Sequence, residues 1–346
     1  MGEIGGRRYR LSLAHTPVLD AMTPLPAQRK QDVPAKYTKL HDGLDDVSGV
    51  VIKHSLMYKG LDVPAAASVP ELRRLAIAYV EDGKLTDGDV QAMILDGREY
   101  SSKRAILFRT DPKALATWEP PEPAAVVAHR HEGRLKISNG PERLCYICRA
   151  GSRIRAVFTE QHLIQFVDFD TGQFERVPVQ KVIVLEADTA TGFVTVLLDA
   201  PGKRHPHGRT QTAYFSYWID RAAAFFQVVL ERFPLVTALG QLEKQKRIKI
   251  PYTLARTAHG KIALTGIETD DVRDLPEFAN LQSKRIAHDQ DEYTWLPQPA
   301  ILPNPVGIPL RDVKTDIDMG SGEIRFMQHA LACEVEYVLG QLQTHA

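Results

Sequence analysis

Apolar positions recur along this chain in two rhythms, and the change of rhythm divides it. Between Ser68 and Gly97 they fall three and four apart: Leu72, Leu75, Ala76 and Tyr79, then Val90, Met93 and Ile94. That is the spacing of one helical face. Ser68 ahead of Pro70, and Thr86 three residues before Asp89, are start signals. Asp82-Gly83 and Asp96-Gly97 are stops, so the pattern predicts two short helices joined by a tight turn. Residues 1–60 mix prolines, charges and short apolar pieces. An arm is expected there, with Val50–Leu56 as its one strand.

A strand is expected at Ala105–Phe108, and Trp118-Glu119-Pro120-Pro121-Glu122-Pro123 reads as a stiff, extended linker. Beyond it the rhythm shifts towards period two. Short strands are expected over 125–128, 134–137, 144–148, 154–158, 163–169, 174–178, 181–185 and 193–198. Asn139-Gly140, Ala150-Gly151, Asp170-Thr171-Gly172 and Thr191-Gly192 supply turns between several of them. Pro178 has no N–H to give a ladder, so its strand ends there or lies at an edge. An aromatic helix follows over Thr212–Phe233, stopped by Pro234, and a second helix over Val236–Lys246. A hairpin is expected around His259-Gly260, then short helix and loops in the acidic stretch from Glu268. Five prolines between Pro297 and Pro309 mark an extended crossing. Strands Val313–Ile317 and Glu323–Phe326 and a helix over His329–Leu342 close the chain.

These elements predict an α+β fold: an antiparallel sheet or small barrel packed with helices, preceded by a small helical region. The expected divisions are an arm over 1–60, a helical region over 61–118 and a larger α+β domain over 124–346.

Charge changes the picture only locally. The 346 residues carry 43 basic and 43 acidic side chains, so the whole chain offers no argument for a polyanionic partner. Residues 130–155 nevertheless have a basic excess of about five, and 268–292 an acidic excess of about five. Three cysteines make no disulfide framework, which suggests a reducing, cytoplasmic setting. No apolar run reaches the roughly 20 residues of a membrane span.

The candidate chemistry is anionic recognition. Gly202–Arg209 contains Lys203, Arg204 and Arg209 and leads into the aromatic helix, whose N-terminal N–H groups and dipole favour anions. Lys203 is followed by Arg204, so this is not a P-loop. Arg153 and Arg155 fall on one face of a strand near Tyr146, and Lys246 and Arg247 lie in a third basic group. If the three groups converge, they form a groove for a nucleic-acid backbone or a nucleotide. An adaptor subunit with a protein partner is the alternative, suggested by the proline-rich arm and the opposed charge of the middle and later segments. A hydrolase built on His205 and His207 is the third. Cys145 and Cys148 form a lone Cys-x-x-Cys and read as buried strand cysteines. Asp316, Asp318 and Glu323 surround a glycine turn and read as turn residues. No motif names a cofactor or a catalytic set.

Overall fold

The computed structural model describes residues 35–120, 142–167, 174–200, 210–245, 247–258, 260–265, 271–278, 285–295, 311, 313–327 and 329–346. Helices α1 (Thr38–Gly43), α2 (Gly49–Tyr58), α3 (Val69–Glu81) and α4 (Asp87–Glu99) come first. The two expected N-termini are present: Glu71 accepts from the Ser68 N–H at 2.7 Å, and Thr86 and Asp89 form a reciprocal capping box. Val50–Leu56, expected as a strand, lies inside α2. The Ser48 hydroxyl accepts from the Val51 N–H at 3.3 Å, and Val51, Ile52 and Leu56 are fully buried against the neighbouring helices. Burial there outweighs the strand preference of β-branched residues. Helix α4 also runs past Gly97 to Glu99.

One antiparallel sheet organises the rest, with strands β1 (Lys103–Arg109), β2 (Arg143–Ala150), β3 (Arg153–Val167), β4 (Phe174–Asp188) and β5 (Phe193–Asp199). It continues through β6 (Glu231–Arg232), β7 (Ile248–Thr257), β8 (Gly260–Thr265), β9 (Arg285–Trp295), β10 (Val313–Asp318) and β11 (Glu323–Phe326). The order is β2-β3-β4-β5-β1-β11-β10-β9-β7-β8, with β6 paired to β1, and the path stays open among the described residues. The four strands expected over 154–185 are two long ones, β3 and β4, paired across the expected Asp170–Gly172 turn, which lies outside the described residues. At Pro178 β4 pairs with β3 while β5 joins only from Ile183, so the proline sits at an edge. The acidic stretch holds an unexpected strand, β9, between β10 and β7. The expected strands over 125–128 and 134–137 lie outside the described residues.

Strand β1 is central, between β5 and β11. The expected boundary at 118–124 therefore does not bound the sheet: α1–α4 have their own core, but residues from Lys103 onward belong to the sheet. Trp118 is buried, and its indole N–H donates to the Phe225 carbonyl at 2.6 Å.

Both faces of the sheet are covered, so its central strands are apolar on both sides. Ile106, Phe108, Ile183, Leu185, Val194, Val196 and Leu198 pack beneath α6 (Gln211–Phe226). Ala105, Leu107, Val182, Val184 and Leu197 pack beneath α7 (Leu235–Lys244) and the C-terminal helix α8 (Ala332–Thr344). Helix α6 stops seven residues earlier than expected. Gln227 takes the left-handed conformation (φ 54°), ending the helix, and the chain returns along β6 so that Phe233 enters the opposite core from Phe225 and Phe226.

Candidate functional site

A connected polar cluster lies where α4 meets β1. Five consecutive side chains, Glu99 to Lys103, each make a partnered contact, and the sequence signals no motif there. Ser102 takes a left-handed backbone (φ 57°), which turns the chain from helix into strand.

Below this turn, Arg155 of β3 stands opposite Glu186 of β4 and Cys148 of β2. Its guanidinium bonds the fully buried Glu99 carboxylate and the Tyr100 hydroxyl, and lies 2.9 Å from Glu186 Oε1. The Tyr146 hydroxyl donates to the other Glu99 oxygen. Burial opposes the charge on Arg155, but Glu186 and Glu99 outweigh it and hold its pKa well above the ordinary value. Burial and the Glu186 carboxylate push the Tyr100 phenol up. Lys103 is fully buried: Nζ donates to Asp199 Oδ1 at 2.6 Å and to the Val182 carbonyl at 2.7 Å. Burial lowers its pKa against the pull of Asp199. The arrangement ties the helical layer to β2, β3, β4 and β5 through paired charges.

Above the turn, Ser101 Oγ lies 2.5 Å and Ser102 Oγ 3.0 Å from His329 Nδ1. The His329 carbonyl accepts from Arg311 at 2.9 Å, and Arg311 grips the buried Glu334 carboxylate with two bonds of 2.7 and 2.8 Å. Glu334 also accepts the Leu331 N–H at 3.0 Å at the start of α8. Burial and the Glu334 carboxylate push the nearby Cys333 thiol up to about 12, which keeps it protonated and a poor nucleophile. On the opposite face of the sheet, His162 Nε2 and Glu160 Oε1 meet at 2.5 Å, both buried, with the Tyr214 ring edge-on to the imidazole.

Of the residues singled out from sequence, Arg153, Arg155 and Arg247 lie among the described residues. Arg153 and Arg155 share the face beneath α8, where Arg153 is 68 % exposed and lies 3.7 Å from Glu336. Arg155 is enclosed by acid, and Tyr146 is buried with its hydroxyl on Glu99. Arg247 bonds Gln341 of α8 at 3.1 Å. Lys203, Arg204, Arg209 and Lys246 lie outside the described residues, as do His205 and His207. Register still places the basic segment's point of departure. Asp188 opposes Arg153 and Phe193, whereas Asp199 opposes Lys103. The chain therefore leaves β5 towards 202–209 about 20 Å from Arg153, at the end that carries the Ser101–Ser102 turn.

Cys145, Cys148 and Cys333 are free thiols. A register shift at Cys145 lets both β2 cysteines pack against the same core. No group of three or more metal-binding side chains occurs among the described residues. At the glycine turn, Asp318 accepts from the Gly320 and Ser321 N–H groups, while Asp316 and Glu323 pair with Arg325. No described helix is long and apolar enough to cross a membrane. Comparison with protein-family models and with curated proteins finds no match to this chain.

Proposed function

We propose that the protein binds phosphate groups, on a nucleic-acid backbone or a nucleotide, through Gly202–Arg209 where that segment enters α6. The observation that supports this reading is the β1–β5 register, which ends β5 at Asp199 opposite Lys103, where β1 follows α4. Thr210 then caps α6, its hydroxyl accepting from the Ala213 N–H at 3.2 Å. Thr210, Gln211 and Thr212 are exposed and the first turn itself holds no acidic residue, while the Gln211 amide donates to the Glu323 carboxylate at 3.1 Å. Lys203, Arg204 and Arg209 supply the charge. Arg153 lies near Glu336 and Arg247 bonds Gln341, both on α8, and Arg155 acts as a buried tie. The same reading keeps the protein in the cytoplasm, where its three thiols stay reduced.

The test is fluorescence anisotropy with labelled single- and double-stranded DNA and RNA over a salt series. Binding is expected to weaken steeply with salt. The double substitution Lys203→Glu, Arg204→Glu is expected to reduce the logarithmic salt slope by about two. Arg153→Glu, on β3 level with the Phe193 end of β5, is expected to change it little. Absence of binding at low salt overturns the reading.

The adaptor reading has one supporting observation. Val229 and Val236 are 79 % and 66 % exposed, and Val236 lines a cleft of about 180 Å³ with Phe233, Pro234 and Met319. If the anisotropy series is flat, this surface is the next to test for a protein partner.

A further inference from the structure

We propose that Ser102 and His329 form a nucleophile–base dyad that cleaves small, activated carboxylic esters. The proposal is independent of phosphate binding. It rests on three observations. Ser102 Oγ lies 3.0 Å from His329 Nδ1, within proton-transfer reach. Ser102 is exposed and held in a left-handed backbone that non-glycine residues rarely adopt, and such strain gathers at functional turns. The surroundings of the turn are fixed: Lys103 and Tyr100 anchor it from below, and Arg311, clamped by Glu334, holds the backbone of His329. Ser101 Oγ, 2.5 Å from the same nitrogen and half-buried, is a positioning residue that orients the imidazole.

In the reaction the Ser102 hydroxyl adds to the ester carbonyl carbon while its proton passes to His329 Nδ1. The carbon–oxygen bond to the leaving group then breaks, and the departing alkoxide or phenoxide takes that proton. Water adds to the acyl-Ser102 ester, giving a proton to the imidazole. The acid leaves as Ser102 Oγ recovers the proton, so nothing is oxidised and the dyad is restored. Ser102 stands on an exposed turn, so the substrate class is one with a compact acyl group and a good leaving group.

The test uses the full chain with a fluorophosphonate probe, which loses fluoride to an activated serine, read by intact mass and peptide mapping. One adduct is expected, on Ser102. His329→Gln keeps a polar group beside the two hydroxyls but cannot accept the proton, and is expected to slow labelling at least ~100-fold. Ser101→Ala is expected to leave the adduct on Ser102 but to form it more slowly, because the imidazole loses the hydroxyl that orients it. Ser102→Gly removes the hydroxyl yet suits the left-handed backbone, so it is expected to fold with unchanged circular dichroism and lose the adduct. Hydrolysis of p-nitrophenyl acetate by the same variants is expected to follow the labelling. No adduct on the native chain, an adduct that survives Ser102→Gly, or labelling undiminished in His329→Gln overturns the proposal.

Discussion

Removing the guanidinium of Arg155 leaves the carboxylates of Glu99 and Glu186 and the Tyr100 phenol without their common donor. Arg155→Ala is expected to lower stability by about 3–5 kcal/mol in urea unfolding, because an unpaired buried charge is the dominant penalty. Arg155→Lys is expected to recover only part of this, since a point charge cannot bridge so many partners. His54 gives a prediction in pH. Its Nδ1 is buried with no hydrogen-bond partner, and burial together with Arg311 lowers its pKa from 6.5, while Glu334 pulls weakly the other way and Lys53 adds to the lowering. Below 6.5 the unfolded chain binds a proton that the folded chain resists, so stability falls as pH drops through that value. The difference in unfolding free energy between native protein and His54→Gln is expected to shrink from pH 7.5 to pH 5.5, on the order of one imidazole titration. At this scale the sequence shows what is local. The caps at Ser68 and Thr86 are legible because donor and acceptor are three residues apart. Arg155 and Glu99 are 56 positions apart, and Ser101 and His329 are 228 apart, so neither contact has a sequence signature.

Two turn positions make opposite predictions for the elements they join. Gly192 has φ +75°, and a Cβ there would lie 2.2 Å from the Thr110 carbonyl oxygen, beside the 2.9 Å bond from the Thr110 N–H to the Gly192 carbonyl. Gly192→Ala is expected to destabilise by at least about 1–3 kcal/mol, seen as a lower thermal midpoint. Gln227 at the end of α6 is left-handed with a side chain, so Gln227→Gly is expected to raise stability by roughly 1 kcal/mol. That position also explains why the apolar pattern runs past the end of the helix. The aromatic pattern continues to Phe233, and a glutamine gives no stop signal. Strand β9 was hidden for a different reason: Asp289, Asp291 and Glu292 resemble a solvated loop, and only its neighbours β7 and β10 reveal a strand. The helix pair, the β10–β11 hairpin and the period-two middle were legible because their hydrophobic spacing matches their geometry.

At the scale of the molecule, α8 holds two cores together. Leu331, just before it, packs among α1–α4, whereas Val335, Val338, Leu339 and Leu342 pack against the sheet. A chain ending at Leu331 is expected to lose cooperative unfolding and to bind a hydrophobic dye, measured by near-ultraviolet circular dichroism and dye fluorescence. The α+β class was legible in the sequence, but the membership of β1 was not: a short apolar strand carries no mark of which later segments will flank it. Its central place sets a timetable for synthesis. One neighbour, β5, follows within the middle of the chain, but the other, β11, begins at Glu323 of 346 residues. At ~5–20 residues per second, the β11 side of β1 waits on the order of ten to forty seconds on the ribosome. Through that interval the nascent chain carries an apolar strand whose second edge is covered only at Phe108 and Arg109 by β6, and its yield depends on how well that edge is shielded until β11 emerges.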